Sequence, residues 1–346
     1  MPDMNMSSVA SHAGFFVKYL LSNWALNLGV SVPFIFIPLV LYFRGLKIEA
    51  RRRAQGLERT TGANFVDQTV FLLGMFFLIV SVNSPLMFWS MVYLWAHVLF
   101  HVLIMIGAPP LIAYGKPWKL MELGLPDPVR PVLARLVRAS KGRGAFAKVI
   151  KAVTNPVVDL IYFNVVMWMW FYPPMMTFAV DNKYVMLAMH YTFITSGMLL
   201  FTQLIDSPPY RSRVSNPVWR LGMVLVSTYS SWMLAMLMGL THHPWFPVYF
   251  HIAGKTMSPM TDQQIGASIL WVLCMEPFLY TAYYCIKLWL TMSEESKFPE
   301  RMMPWMKRVR RVKSEHELLG GGSIESGSID VASLDGLDNL APKEWS

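Results

Sequence analysis

The chain has 346 residues, 54% of them hydrophobic and only 15% charged, with a formal net charge of +9. Soluble domains carry about 25% charged residues, and here the charges stand in blocks between apolar runs long enough to cross a bilayer, which takes roughly 20 residues. A soluble globular domain is excluded. The positive charge reads as membrane topology rather than as a nucleic-acid surface, so no nucleic-acid partner is expected.

In chain order, residues 1–23 read as an outer arm in which Phe15, Phe16, Tyr19 and Leu20 suggest a short interfacial helix. No cleavable signal peptide is expected. The first span is placed at about 24–43, with Pro33 and Pro38 inside it, and the second at about 66–82. The third, about 86–112, runs into Pro109-Pro110. A basic segment at about 114–155 follows, in which 128–139 and 145–153 suit short amphipathic helices on the membrane. Spans four to seven are expected at about 157–178, 184–205, 218–240 and 264–290, and the tail from 292 on ends in Gly/Ser/Asp-rich sequence expected to be disordered.

Lysine and arginine set the expected orientation. Of the 30 such residues, all but Lys18, Lys183 and Lys255 fall on one side of this scheme. The reading is an all-α, polytopic bundle of seven transmembrane helices. Its N-terminus is outside and its C-terminus cytoplasmic, with an outer arm (1–23), a membrane domain (24–291) and a cytoplasmic tail (292–346).

The third span carries the chemistry. His97, His101 and Met105 recur every four residues in WAHVLFHVLIMIGAPPLIAYGKPWKL, so a helix projects them from roughly one face. Depth counting at about 1.5 Å per residue puts His97 near mid-membrane, and His190, on the fifth span, in the outer half. Intramembrane ionisable groups are functional candidates by default. Imidazole combined with thioether favours Cu(I), whereas zinc more often brings thiolate or carboxylate.

The expected ligands are His97, His101 and His190, assisted by Met105 or Met189. Outer-face candidates are His242 and His243, Asp262, and the arm residues Met4, Met6 and His12. Asp262 also reads as the N-cap of the last span. Glu276 lies inside that span and is expected to be protonated or paired, a histidine being one possible partner. Cys274 and Cys285, about three turns apart, read as buried small residues rather than a disulfide or metal pair. No phosphate loop, zinc-protease helix or Ser-His-Asp arrangement can be placed, so an enzyme is not expected.

The run AHVLFHVLIMIGAPPLIAYGKP resembles the signature of the CtaG-type cytochrome c oxidase assembly factors, seven-span membrane proteins linked to copper supply. MHYTFITSGMLLF (189–201) and SPMTDQQIGASILW (258–271) resemble two further motifs of that family, and the likeness covers roughly 65–290. Two positions depart from it. The family often has Trp-His-x-Pro at the end of the fourth span, where this chain has Trp170-Phe171-Tyr172-Pro173, and Met189 replaces the glutamate before His190.

The resemblance implies a bacterial inner-membrane factor for oxidase assembly, handling copper and meeting oxidase subunits or other assembly factors. The alternatives are a copper permease or tolerance protein independent of the oxidase, and a haem-binding redox protein with His97 or His101 paired to His190.

Overall fold

The computed structural model describes residues 24–140, 142, 144–207, 214, 216–250 and 257–297. Every regular element among them is helical. The first is α1 (Leu28–Ala54), followed by α2 (Phe65–Asn83), the short α3 (Pro85–Ser90) and α4 (Leu94–Tyr114). Next come α5 (Trp118–Leu123), α6 (Val129–Ser140) and α7 (Ala145–Val153), the last two where amphipathic helices were expected. Then follow α8 (Pro156–Trp170), α9 (Pro173–Asp181), α10 (Lys183–Leu204) and α11 (Pro217–Leu240). A short 3₁₀ turn (Pro247–Tyr249) precedes α12 (Pro259–Lys297).

Among the described residues, six helices are long and apolar enough to span a membrane: α1, α2, α4, α10, α11 and α12. A seventh is reached if α7 and α8, bent by 63° at their junction, count as one span. The expected arm with Met4, Met6 and His12 and the tail beyond Lys297 lie outside the described residues.

α4 is the centre of the bundle. Its apolar window is 78% buried, against 28–50% for the other five spans. Glycines let its neighbours approach closely, as is usual where apolar helices pack without a hydrophobic driving force. A Cβ at Gly197 of α10 would collide with the Met105 carbonyl and the Pro109 ring, and one at Gly74 of α2 would lie 3.0 Å from the Ile112 nitrogen.

Prolines shape both irregular spans. Pro109 and Pro110 cannot donate to the carbonyls of Met105 and Ile106, and α4 widens into a π-turn over Leu103–Gly107 just before them. Pro33 likewise sits in a π-turn, Val32–Phe36, so α1 continues unbroken to Ala54, past the end expected for the first span.

The structure corrects several sequence expectations. The third span does not begin at Leu86. α3 stops at Ser90, Tyr93 is extended, and α4 starts afresh at Leu94. His97 therefore sits in the first turn of its helix, about 4.5 Å from its start, and not near mid-span. Span four is not one helix over 157–178: it breaks at Phe171-Tyr172, where Pro173 begins α9.

Nor does Asp262 cap its own helix, since α12 already begins at Pro259, and Ser258 Oγ accepts from the Thr261 amide at 3.1 Å. Glu276 is exposed on the outside of the bundle rather than paired to a histidine. Cys274 and Cys285 are buried and free, as expected.

Candidate functional site

Asp262 and Gln263 fasten one end of the bundle. The Asp262 carboxylate accepts from the amides of Leu94 and Trp95, each at 2.9 Å. It thereby satisfies two of the donors that the start of α4 leaves open, from across the bundle instead of from the adjacent chain. Gln263 Nε2 donates to the Met238 carbonyl (2.8 Å) and to Thr241 Oγ1 (2.9 Å), closing the end of α11, while its Oε1 accepts from the Trp245 amide (2.7 Å). These two adjacent side chains tie α4, α11 and α12 to one level, and His97 lies one turn below it.

A second tie fixes the His97 ring. The Ser90 carbonyl, at the end of α3, receives the Tyr249 hydroxyl at 3.1 Å and lies 3.1 Å from His97 Nδ1. A carbonyl only accepts, so Nδ1 carries the proton and Nε2 holds the free lone pair. Tyr249 is itself 2% exposed. Burial, and then the Asp262 carboxylate, push its phenol well above the ordinary range, so it remains a donor.

The three histidines form a buried chain. The His97 and His101 ring centroids are 4.3 Å apart, and those of His101 and His190 6.4 Å. Each residue is 1% exposed. Aromatic rings wall the chain: Phe193 lies 4.2 Å from His101, Phe100 4.7 Å from His190, and Tyr249 6.0 Å from His97, centroid to centroid. Phe171, at the broken end of α8, is 6.1 Å from His101. The position at which the resemblance would supply an imidazole thus faces the centre of the chain.

Among the described residues, four buried histidine nitrogens have no hydrogen-bond partner: His97 Nε2, both nitrogens of His101, and His190 Nδ1. Buried polar groups are nearly always bonded, and leaving one unmet costs about 1–3 kcal/mol. No three His, Cys, Asp or Glu side chains among the described residues stand close enough together to hold an ion as a group. A closed three- or four-ligand site of zinc type is therefore not what these residues form. Two imidazoles on facing helices suit a soft ion of low coordination number better.

A cavity of about 640 Å³ leads to His190. Its walls include Met87, Met91 and Met186, and Asp181 and Lys183 also line it. Neither Met87 nor Met91 was singled out in the sequence, because the break that places them beside α10 was read as continuous helix. Met105 and Met189 are buried, at 2% and 0% exposure, within the core. His242 and His243 are exposed on the loop after α11. Both Asp262 oxygens are engaged by backbone amides, which gives that residue a structural task.

Fold and site together define a polytopic helical membrane protein with a buried, under-satisfied histidine chain near one end of its bundle. The family model described as cytochrome c oxidase caa3 assembly factor (Caa3_CtaG) matches residues 40–292. The chain belongs to that family. The match takes in the second half of α1, which the sequence motifs did not reach. No curated protein and no solved structure matches the chain.

Proposed function

We propose that this protein serves oxidase assembly by holding a Cu(I) ion in transit, as cargo rather than as a resident cofactor. The observation that carries the reading is the set of four partnerless nitrogens on three buried imidazoles. His97, with its tautomer fixed, offers Nε2. His101 offers either nitrogen, and His190 offers Nδ1. The cavity lined by Met87, Met91 and Met186 gives a soft ion a path to His190 from its side at the exposed Asp181 and Lys183, taken here as the mouth. Lysine and arginine distribution supports placing that mouth, with His242 and His243, on the outer face of the bacterial plasma membrane. The role is binding and transfer, without catalysis.

Phe100 and Phe193 pack against His190 and His101 with ring centroids 4.7 and 4.2 Å apart, which leaves little room for a porphyrin between them and disfavours the haem reading. A copper permease would use the same residues but leave the oxidase normal.

Metal analysis of the purified protein tests the site: His97→Ala and His101→Ala should each lower copper stoichiometry, and unchanged stoichiometry in both would refute it. In cells, deletion should depress oxidase activity and added copper should relieve the defect. Altered cellular copper with a normal oxidase would instead favour the permease.

A further inference from the structure

The exposed face of α12 does not suit lipid along its whole length. Val272, Leu279, Tyr280 and Tyr283 are exposed at 54–63% and Met275 at 38%, and they recur at helical spacing as one stripe. In the middle of that stripe stands Glu276, also exposed. Exposed apolar side chains continue in both directions, from Ile265 to Leu290. At about 1.5 Å per residue, Glu276 lies about 16 Å from the first and 21 Å from the second, well beyond the reach of a glutamate side chain.

The contacts of α12 confirm the depth. Asp262 is level with the start of α4, and Tyr284 packs on Tyr114 at its end, with ring centroids 5.8 Å apart. Glu276 falls between these two levels. Its neighbour Phe278 is buried against Phe163 and Phe201, so the inward face of the helix is fully committed and the carboxyl is turned away from the bundle.

Acidic side chains within spans almost always face a bundle interior or pair with another group, because hydrocarbon solvates a carboxyl poorly. We infer that the Glu276 stripe docks a transmembrane helix of a partner protein, one that presents a lysine, arginine or comparable donor at this depth. Charge complementarity selects this occupant over a second copy. A symmetric pair would set Glu276 against Glu276, while the exposed cations Lys183 and Lys287 stand near span ends. Val272, Met275, Leu279 and Tyr280 supply the apolar surround that keeps such a pair dry. The inference stands on α12 alone and does not depend on copper.

A photo-crosslinking residue at Tyr280 in the full chain, expressed in its native membranes, tests it, with the same residue at Val165, on the exposed face of α8, as control. The expected result is an adduct from position 280 with a membrane protein whose contact helix, identified by mass spectrometry, carries a basic or donor residue. The adduct should fall at least fivefold with Glu276→Leu and return when Glu276→Lys is combined with an acidic residue in place of the partner's basic one. Glu276→Leu should leave the melting temperature of the purified protein unchanged or raised, which separates lost docking from lost folding. An adduct with a second copy, a purely apolar contact helix, or wild-type crosslinking in Glu276→Leu would overturn the inference.

Discussion

Replacing His101 by leucine should make the metal-free protein more stable and the metal-loaded protein less so. His101 is 1% exposed, with neither ring nitrogen bonded. Two unmet groups at about 1–3 kcal/mol each give an upper range of about 2–6 kcal/mol. Polar contacts inside membrane bundles are worth less than that reasoning suggests, about 0.6 kcal/mol on average. A gain of about 2 kcal/mol is the working expectation, because leucine is apolar, near in size, and meets rings already packed around the site. At about 2.1 cal/mol/K of unfolding entropy per residue, that corresponds for 346 residues to a rise of about 3 °C in melting temperature.

Bound metal reverses the order. An ion at 100 times its dissociation constant stabilises the wild type by about 2.7 kcal/mol and gives the variant nothing. The assay is thermal unfolding in detergent, with a Cu(I) chelator and then with Cu(I) in excess, beside metal content. If His101→Leu melts below the wild type in chelator, the His101 nitrogens are satisfied and the central observation fails. If it binds copper at full stoichiometry, His101 is no ligand.

Phe171→His would place an imidazole on the ring position that already lies 6.1 Å from His101. It should slow copper loss to a competing chelator by about tenfold, the effect of about 1.4 kcal/mol of added binding. An unchanged off-rate would mean that the position faces the chain without reaching the ion. Asp262→Ala removes the acceptor of two backbone donors at the start of α4 and should cost about 2 kcal/mol, read by thermal unfolding. Asp262→Asn, keeping one carbonyl acceptor, should fall between.

What could be read in sequence followed from periodicity and composition. The spans with clean boundaries, α2, α10 and α11, lie where hydrophobic runs and flanking turn residues put them. The shared face of His97 and His101 was also legible, because residues four apart in a helix project from one side. The misreadings came from events that sequence spacing does not encode. Nothing local marks Met91–Tyr93 as a break, because the signal that starts α4 is Asp262, which lies on another helix. Pro173 was visible, yet span four was placed across it, at about 157–178. The outward orientation of Glu276 could not be derived either, since the apolar residues around it are spread over most of the helix circumference and leave its buried side unmarked.

The fixed tautomer of His97 has a consequence for how an ion would move. The Ser90 carbonyl holds the proton on His97 Nδ1, and Tyr249 shares that acceptor, so His97 presents one invariant lone pair. His101 has no such tie on either nitrogen, so its tautomer is free to follow whichever neighbour binds. A locked ligand beside an unlocked one suits transfer better than storage, because the unlocked ring can exchange partners without breaking a hydrogen bond. Nitrogen NMR of histidine-labelled protein should show His97 as a single Nδ1-protonated tautomer and His101 as a mixture that resolves to one form on adding Cu(I). Tyr249→Phe removes the competing donor and should leave His97 locked. If His97 is itself mixed in the wild type, the Ser90 contact is not a hydrogen bond, and the ordering of the three rings as locked, free and cavity-facing fails with it.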